Sequence, residues 1–236
     1  MAPERAFQLV NPIPAGSGLV DITVRSCSFS DNVDSIFIFG AGGTDVNAHR
    51  VDCDVSNNAI VGLGPQLQPQ NGIFVATGTK GIIHDNDVSA HQFAGAGNFS
   101  IAILTGSLGN GPNFVMPRLQ IVGNTTVNNT VGILSLFADG NQIVNNTVTG
   151  GPLGFSGIAV SGRGNKITNN SIHMNGSLVP GNSGVLLLGA EFNAALGSGF
   201  AIDTNIISNT ISGAFLPVWS QTGVTGTSMH ANVILP

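Results

Sequence analysis

The feature that most constrains this chain is a short phrase that recurs along it. The phrase consists of an apolar residue, any two residues, asparagine, one residue and a second apolar residue. Four copies match cleanly, looser copies fill the intervals, and cysteine replaces asparagine in the first two. The marker positions in chain order are Cys27, Cys53, Asn86, Asn124, Asn146, Asn170, Asn209 and Asn232. Successive markers are at least 22 residues apart, and a unit that short cannot bury its own apolar face, so the phrase predicts a stack of repeats.

Each phrase is preceded by another apolar strand that often begins with glycine, as in Gly72–Val75 and Gly157–Val160. Every repeat therefore contains three short strands, and the variable insertions fall in turns. Stacking at the ~4.8 Å strand spacing would pair the backbone of each coil with the coils above and below it. The sequence predicts an all-β parallel solenoid of about eight coils, with residues 1–18 as a lead-in and residues 19–236 as a single domain.

The asparagine of each phrase stands between two strands that change direction. Asparagine tolerates the left-handed backbone of such a turn, and its amide can bond to the amide of the next coil. We therefore expect an inward ladder formed by Asn86, Asn124, Asn146, Asn170 and Asn209. The same alignment places Cys27 and Cys53 in adjacent coils, where their spacing permits a disulfide, although two buried thiols are favoured.

Two repeats carry a family resemblance. The strings GNQIVNNTVTG (140–150) and GNKITNNSIHMNG (164–176) resemble repeats of the right-handed parallel β-helix proteins of the pectate-lyase-like superfamily. The resemblance extends from Val20 to Ile234 and implies a right-handed helix. That superfamily includes polysaccharide lyases, hydrolases, esterases, epimerases, phage tailspikes and adhesins, so the resemblance implies a fold rather than one activity.

Composition excludes several classes of partner. Only 8% of residues are charged, the net charge is -5, and seven Lys and Arg leave no basic stripe for nucleic acid. Apolar stretches are interrupted after about half a dozen residues, far below the ~18 needed to cross a bilayer, so no membrane partner is expected. The first residues show no secretory signal; an extracellular or cell-surface location is expected if the chain is part of a longer protein.

One acidic constellation suggests a metal site. Two aspartates flank Cys53 and two flank Asn86, so the ladder alignment places Asp52, Asp54, Asp85 and Asp87 on one turn within roughly 10 Å, near Arg25 and His84. Oxygen ligands of this kind suit Ca²⁺. The alternative is a hydrated acidic patch in which one carboxyl has a raised pKa. The remaining histidines, His49, His91, His173 and His230, are expected at the surface.

A second constellation suggests catalysis. The turns after three successive Gly-opened strands contain Asp139, Arg163 and Glu191. Strand spacing would place the two carboxylates about 10 Å apart with the guanidinium between them, a separation that suits an inverting glycoside hydrolase. The alternative is a solvated ladder of alternating charges.

The outward side of the Gly-opened strands is unusually apolar. Strict alternation of side chains predicts the following outward residues: Phe37, Phe74, Ala102, Leu104, Leu134, Ala159, Leu186, Leu188 and Trp219. An exposed apolar stripe of this size marks a partner surface, unless insertions such as 65–71 and 190–200 fold over it.

These features support three hypotheses about function. The first is a non-catalytic structural module that forms homo-oligomers through the apolar stripe. The second is a carbohydrate-active enzyme, a polysaccharide lyase, hydrolase or epimerase, that uses the acids on the turns. The third is an isomerase or cyclase that uses the apolar face as a pocket.

Overall fold

Short strands separated by tight turns follow one another along the chain, and each coil returns to the same three sheets. The structure, a computed structural model, describes residues 5–11, 19–40, 51–95, 99–106, 117–174, 176–193 and 200–236. Four coils form the first half: β1 (Arg5–Asn11), β2 (Val20–Arg25), β3 (Ser28–Ser30); β4 (Asp34–Gly40), β5 (Val51–Ser56), β6 (Ala59–Gln66); β7 (Asn71–Ala76), β8 (Thr79–His84), β9 (Asp87–Phe93); β10 (Ile101–Gly106), β11 (Arg118–Val122), β12 (Thr125–Asn129).

Four further coils complete the described chain, with one short helix between them. They are β13 (Val131–Leu136), β14 (Gln142–Val144), β15 (Thr147–Gly150); β16 (Ser156–Val160), β17 (Gly162–Arg163), β18 (Lys166–Thr168), β19 (Ser171–His173); β20 (Ser183–Leu187), α1 (Ala190–Asn193), β21 (Ala201–Ile202), β22 (Asn205–Ile207), β23 (Thr210–Ser212); and β24 (Leu216–Ser220), β25 (Ser228–His230), β26 (Val233–Leu235). No helix among the described residues is long and apolar enough to cross a membrane.

All described strands except β17 and β21 form three eight-stranded sheets, with one strand of each sheet per coil, and β17 and β21 pair with each other in a small separate sheet. Sheet A has the order β1-β4-β7-β10-β13-β16-β20-β24, sheet B the order β2-β5-β8-β11-β14-β18-β22-β25, and sheet C the order β3-β6-β9-β12-β15-β19-β23-β26. Neighbouring strands are parallel, as in the pairing of Ile133 with Ile158 and of Ile143 with Ile167. The molecule is a right-handed parallel β-helix of about eight coils, which confirms the predicted fold class.

The asparagine ladder is present. Between neighbouring coils, the amide nitrogen Nδ2 of one asparagine donates to the Oδ1 of the next at 2.8–3.0 Å, and the backbone N–H donates to the same oxygen. All five predicted members take part, and the ladder continues to Asn232. Because these amides are buried, their mutual hydrogen bonds offset the cost of desolvating them.

The prediction that Cys53 is the second member of the ladder is wrong. Cys27 lies at the first position, where its backbone N–H donates to Oδ1 of Asn58 at 3.0 Å. Asn58, not Cys53, is therefore the next member, and Cys53 points into the core from the middle of β5. Both thiols are free, and Cys27 is exposed rather than buried.

Glycine opens the strands of sheet A because the core leaves no room there. A Cβ on Gly157 would lie 2.5 Å from Cγ2 of Ile172 and 2.7 Å from the carbonyl oxygen of Gly184. Ala102 holds the same register position as Gly72 and packs in the core. Ala102 therefore faces inward, and its predicted outward orientation is wrong.

The strand β1 lies within the residues predicted as a lead-in. It pairs with β4 as the first strand of sheet A, and Phe7 and Leu9 pack against the core. Residues 12–18 lie outside the described chain.

Candidate functional site

The apolar outer face of sheet A is buried. Register aligns its members across the coils, and Leu134, Leu186 and Leu188 are at most 4% exposed. They belong to a second hydrophobic cluster, separate from the core inside the coil. The leucines of the expected stripe are therefore covered, whereas Phe74 and Trp219 remain partly exposed.

Aromatic side chains form part of the cover. The rings of Phe99 and Phe155 are stacked with centroids 4.9 Å apart, and Phe192 stacks on Phe99 at 6.0 Å. Trp219 meets Phe155 edge to face at 6.3 Å. Phe192 belongs to the predicted insertion 190–200, of which residues 194–199 lie outside the described chain.

The four aspartates of the predicted calcium turn do not share a turn. Register pairs Asp52 with Lys80 and Asp54 with Ile82, so both aspartates lie on the outer face of sheet B. Asp85 occupies the following turn with a left-handed backbone, and Asp87 begins β9 in sheet C. A shared turn was expected because Cys53 and Asn86 were aligned as neighbouring ladder members, but Asn58 holds the position before Asn86. Among the described residues, no three His, Cys, Asp or Glu side chains are placed to share a metal ion.

Two of these aspartates join a network of polar side chains that links three coils. Nη2 of Arg25 lies 2.9 Å from Oδ2 of Asp54, whose Oδ1 lies 3.3 Å from Nε2 of His84. The other ring nitrogen of His84, Nδ1, lies 2.7 Å from Oδ2 of Asp85. Partial desolvation acts to raise the pKa of Asp54, but hydrogen bonds from Ser56 and Arg25 and the charge of Arg25 outweigh it and lower that pKa.

The outer face of sheet B contains an open polar groove. Its volume is about 540 Å³, and we define the polar groove by these lining residues: Asp52, Lys80, Gly81, Ile82, Arg118, Leu119, Gln120, Gly140 and Gln142. Nζ of Lys80 lies 3.2 Å from Oδ2 of Asp52 across its floor. Register places Arg118 beside Lys80 and Gln142 beside Gln120, so cations form one row and amides the next. A second, smaller recess of about 210 Å³ adjoins it at Asp52.

Apart from Asp52, which the sequence analysis names as a possible calcium ligand, the groove residues are not among the predicted site residues. A signal was available, because polar residues alternate with buried ones in the second strand of several coils, as in Arg118-Leu119-Gln120-Ile121. That strand leads directly into the asparagine phrase, whose repeated pattern marks the turn more clearly than it marks the outer face of the strand. Among the described residues, charged and amide side chains therefore lie together beside a recess on the outer face of sheet B.

The predicted catalytic column is only partly formed. Oδ1 of Asp139 accepts a hydrogen bond of 2.7 Å from the backbone N–H of Arg163, so these two lie in neighbouring coils as expected. Register pairs Arg163 with Ile202 rather than Glu191. Glu191 lies in α1, and its carboxylate accepts hydrogen bonds from the backbone and hydroxyl of Thr222, which lower its pKa. The two acids are held by different partners, and all three side chains are exposed.

His91 is buried, contrary to the surface position expected for it. Its ring is 0% exposed, and Nδ1 lies 3.3 Å from Oδ1 of Asn129 in the next coil. Nε2 has no hydrogen-bond partner among the described residues. Burial lowers the pKa of His91 to about 4, so the ring is neutral at pH 7.

Comparison with known proteins adds one solved structure. No family model matches the sequence, and no curated protein is significantly similar to it. The chain is similar to the Dettilon tailspike protein (gp208), with 12% sequence identity and a TM-score of 0.29. The aligned region covers 91% of this chain and 60% of the tailspike chain.

Proposed function

We propose that this chain is a non-catalytic β-helix module that binds a polysaccharide along the polar groove, and that it belongs to the pectate-lyase-like superfamily. The single observation that carries the proposal is the contrast between two outer faces. The face of sheet A is covered by aromatic rings, whereas the face of sheet B presents charged and amide side chains in an open recess. Rows of polar groups repeated at the strand spacing suit a polymer, because each coil can contact a successive part of it.

The side chains of the groove support binding by their chemistry. Gln120 and Gln142 each supply a donor and an acceptor, which sugar hydroxyls can satisfy. The two cations Arg118 and Lys80 and the carboxylate of Asp52 leave the groove with one net positive charge, so an acidic polymer is favoured over a cationic one. Binding is favoured over catalysis because Asp139 and Glu191 are held by separate partners.

The proposal is tested with soluble alginate, dextran and chitosan as acidic, neutral and cationic probes. Alginate should bind saturably, and the double variant Gln120→Ala with Gln142→Ala should weaken it about tenfold, or ~1.4 kcal/mol. The matched control is Thr147→Ala, an exposed and uncharged position on sheet C outside the groove. Binding of none of the three polymers, or equal loss in the control, would overturn the groove assignment.

A further inference from the structure

A small apolar pocket lies beside the aromatic cover, and two of its lining residues, Phe99 and Phe155, belong to that cover. Its volume is about 230 Å³, and we call it the ring pocket. The side chains that shape it are Phe93, Phe99, Thr130, Leu153, Phe155 and Val179. It contains no charged side chain, so a charged ligand would lose its hydration there without compensation.

We propose that the ring pocket binds a small, uncharged single-ring compound that carries one hydrogen-bond acceptor. The volume sets the size, because an apolar cavity of roughly 150 Å³ already accommodates benzene. The stacked rings of Phe99 and Phe155 form one wall, on which a further ring can pack face to edge or offset.

Thr130 provides the polar end of the pocket. Its Oγ1 accepts a hydrogen bond of 2.8 Å from the backbone N–H of Phe93, which fixes the position of the hydroxyl. A hydroxyl that accepts one bond still has its own hydrogen to donate. A carbonyl or hydroxyl oxygen on the ligand ring is the complementary group.

The chain contains a built-in reporter for this pocket. Trp219 is the single tryptophan and tyrosine is absent, so the intrinsic fluorescence comes from one indole. That indole contacts Phe155, a ring of the pocket wall. A ligand that repacks Phe155 should therefore change the fluorescence of Trp219.

The test titrates the protein with benzyl alcohol and with benzoate, following Trp219 fluorescence and ligand-observed NMR saturation transfer. We expect saturable binding of benzyl alcohol and at least tenfold weaker binding of benzoate. Val179→Phe, which fills the pocket, should abolish binding, whereas Val61→Phe, the same change at an exposed site on sheet C, should leave it intact. Thermal unfolding of both variants checks that they fold.

Three outcomes would overturn the proposal. They are the absence of saturable binding by benzyl alcohol, binding that survives in folded Val179→Phe, and benzoate binding as tight as that of benzyl alcohol. None of these bears on the polar groove, because the ring pocket and the groove share no lining residue.

Discussion

The outer faces of sheets A and B are built from the same repeat but differ in exposure, because the face of sheet A is buried and the face of sheet B is open to water. On sheet A the outward register column contains Leu134 and Leu186, and aromatic rings cover it. On sheet B the equivalent column contains Gln120, Gln142 and Lys166, which remain exposed. The comparison teaches that in a β-helix the coil interior fixes the fold, while the outward residues of each sheet decide separately whether that face becomes a second core or stays exposed to water.

The largest expected difference comes from placing a charge on each face. Leu186→Asp should lower the free energy of unfolding by more than ~4 kcal/mol, because it buries a carboxylate without a partner. Gln120→Asp should change it by at most ~0.5 kcal/mol, since that position is exposed. Urea unfolding followed by Trp219 fluorescence measures both. Small and equal losses would mean that the face of sheet A is solvated after all.

Between pH 6.5 and 4, the buried His91, rather than the charged groups on the outer face of sheet B, should make the free energy of unfolding depend on pH. The pKa of His91 lies at about 4 in the folded state and near 6.5 when unfolded. The unfolded chain therefore binds the extra proton between these values, and stability falls as the pH drops from 6.5 to 4, by about 3 kcal/mol in total.

The matched variant is His91→Asn, because Asn129 is the hydrogen-bonded residue at the same position of the next coil. Unfolding measured at pH 7, 5.5 and 4 should show the loss in wild type and a much smaller loss in the variant. The lowered pKa of Asp54 contributes only at lower pH, where that carboxylate takes up its proton. An unchanged pH dependence in the variant would place the acid sensitivity elsewhere.

The smallest effect is expected for the ion pair on the floor of the polar groove. The side chains of Lys80 and Asp52 are 43% and 39% exposed, so water screens their attraction. Lys80→Met should lower the free energy of unfolding by no more than ~1 kcal/mol at low salt and by less at 1 M salt. A larger loss, or one that salt does not reduce, would show that this pair is buried like the face of sheet A.

The repeat could be identified from the sequence because stacking forces the same residue types to recur. Asn146 and Asn170 satisfy each other only at fixed positions, and that requirement leaves a pattern. The sequence also indicates the correct second ladder member, because Val55-Ser56-Asn57-Asn58-Ala59-Ile60 matches the phrase better than the segment around Cys53 does. With Asn58 as the marker, the aspartates beside Cys53 fall on a strand rather than a turn.

The cover of sheet A could not be predicted in the same way. Alternation shows that Leu186 points out of the coil, but not what packs against it. Phe99, Phe155 and Phe192 come from segments between the regular strands, which share no period. The burial of His91 depends on its contact with Asn129 of the next coil, which alternation along one strand does not show. The polar outer face of sheet B, in contrast, is indicated by the alternation in segments such as Arg118-Leu119-Gln120-Ile121.

The most direct test of the contrast between the two faces is thiol labelling at paired positions. Cys27→Ser removes the exposed thiol, while Cys53 is buried and its pKa is raised to about 12, so it stays unreactive. In this background we predict that Q142C reacts with a disulfide reagent at nearly the rate of the unfolded chain, and that L188C reacts at least ~100-fold more slowly. Equal rates for the two variants would contradict the division of the molecule into a covered outer face and an exposed polar one.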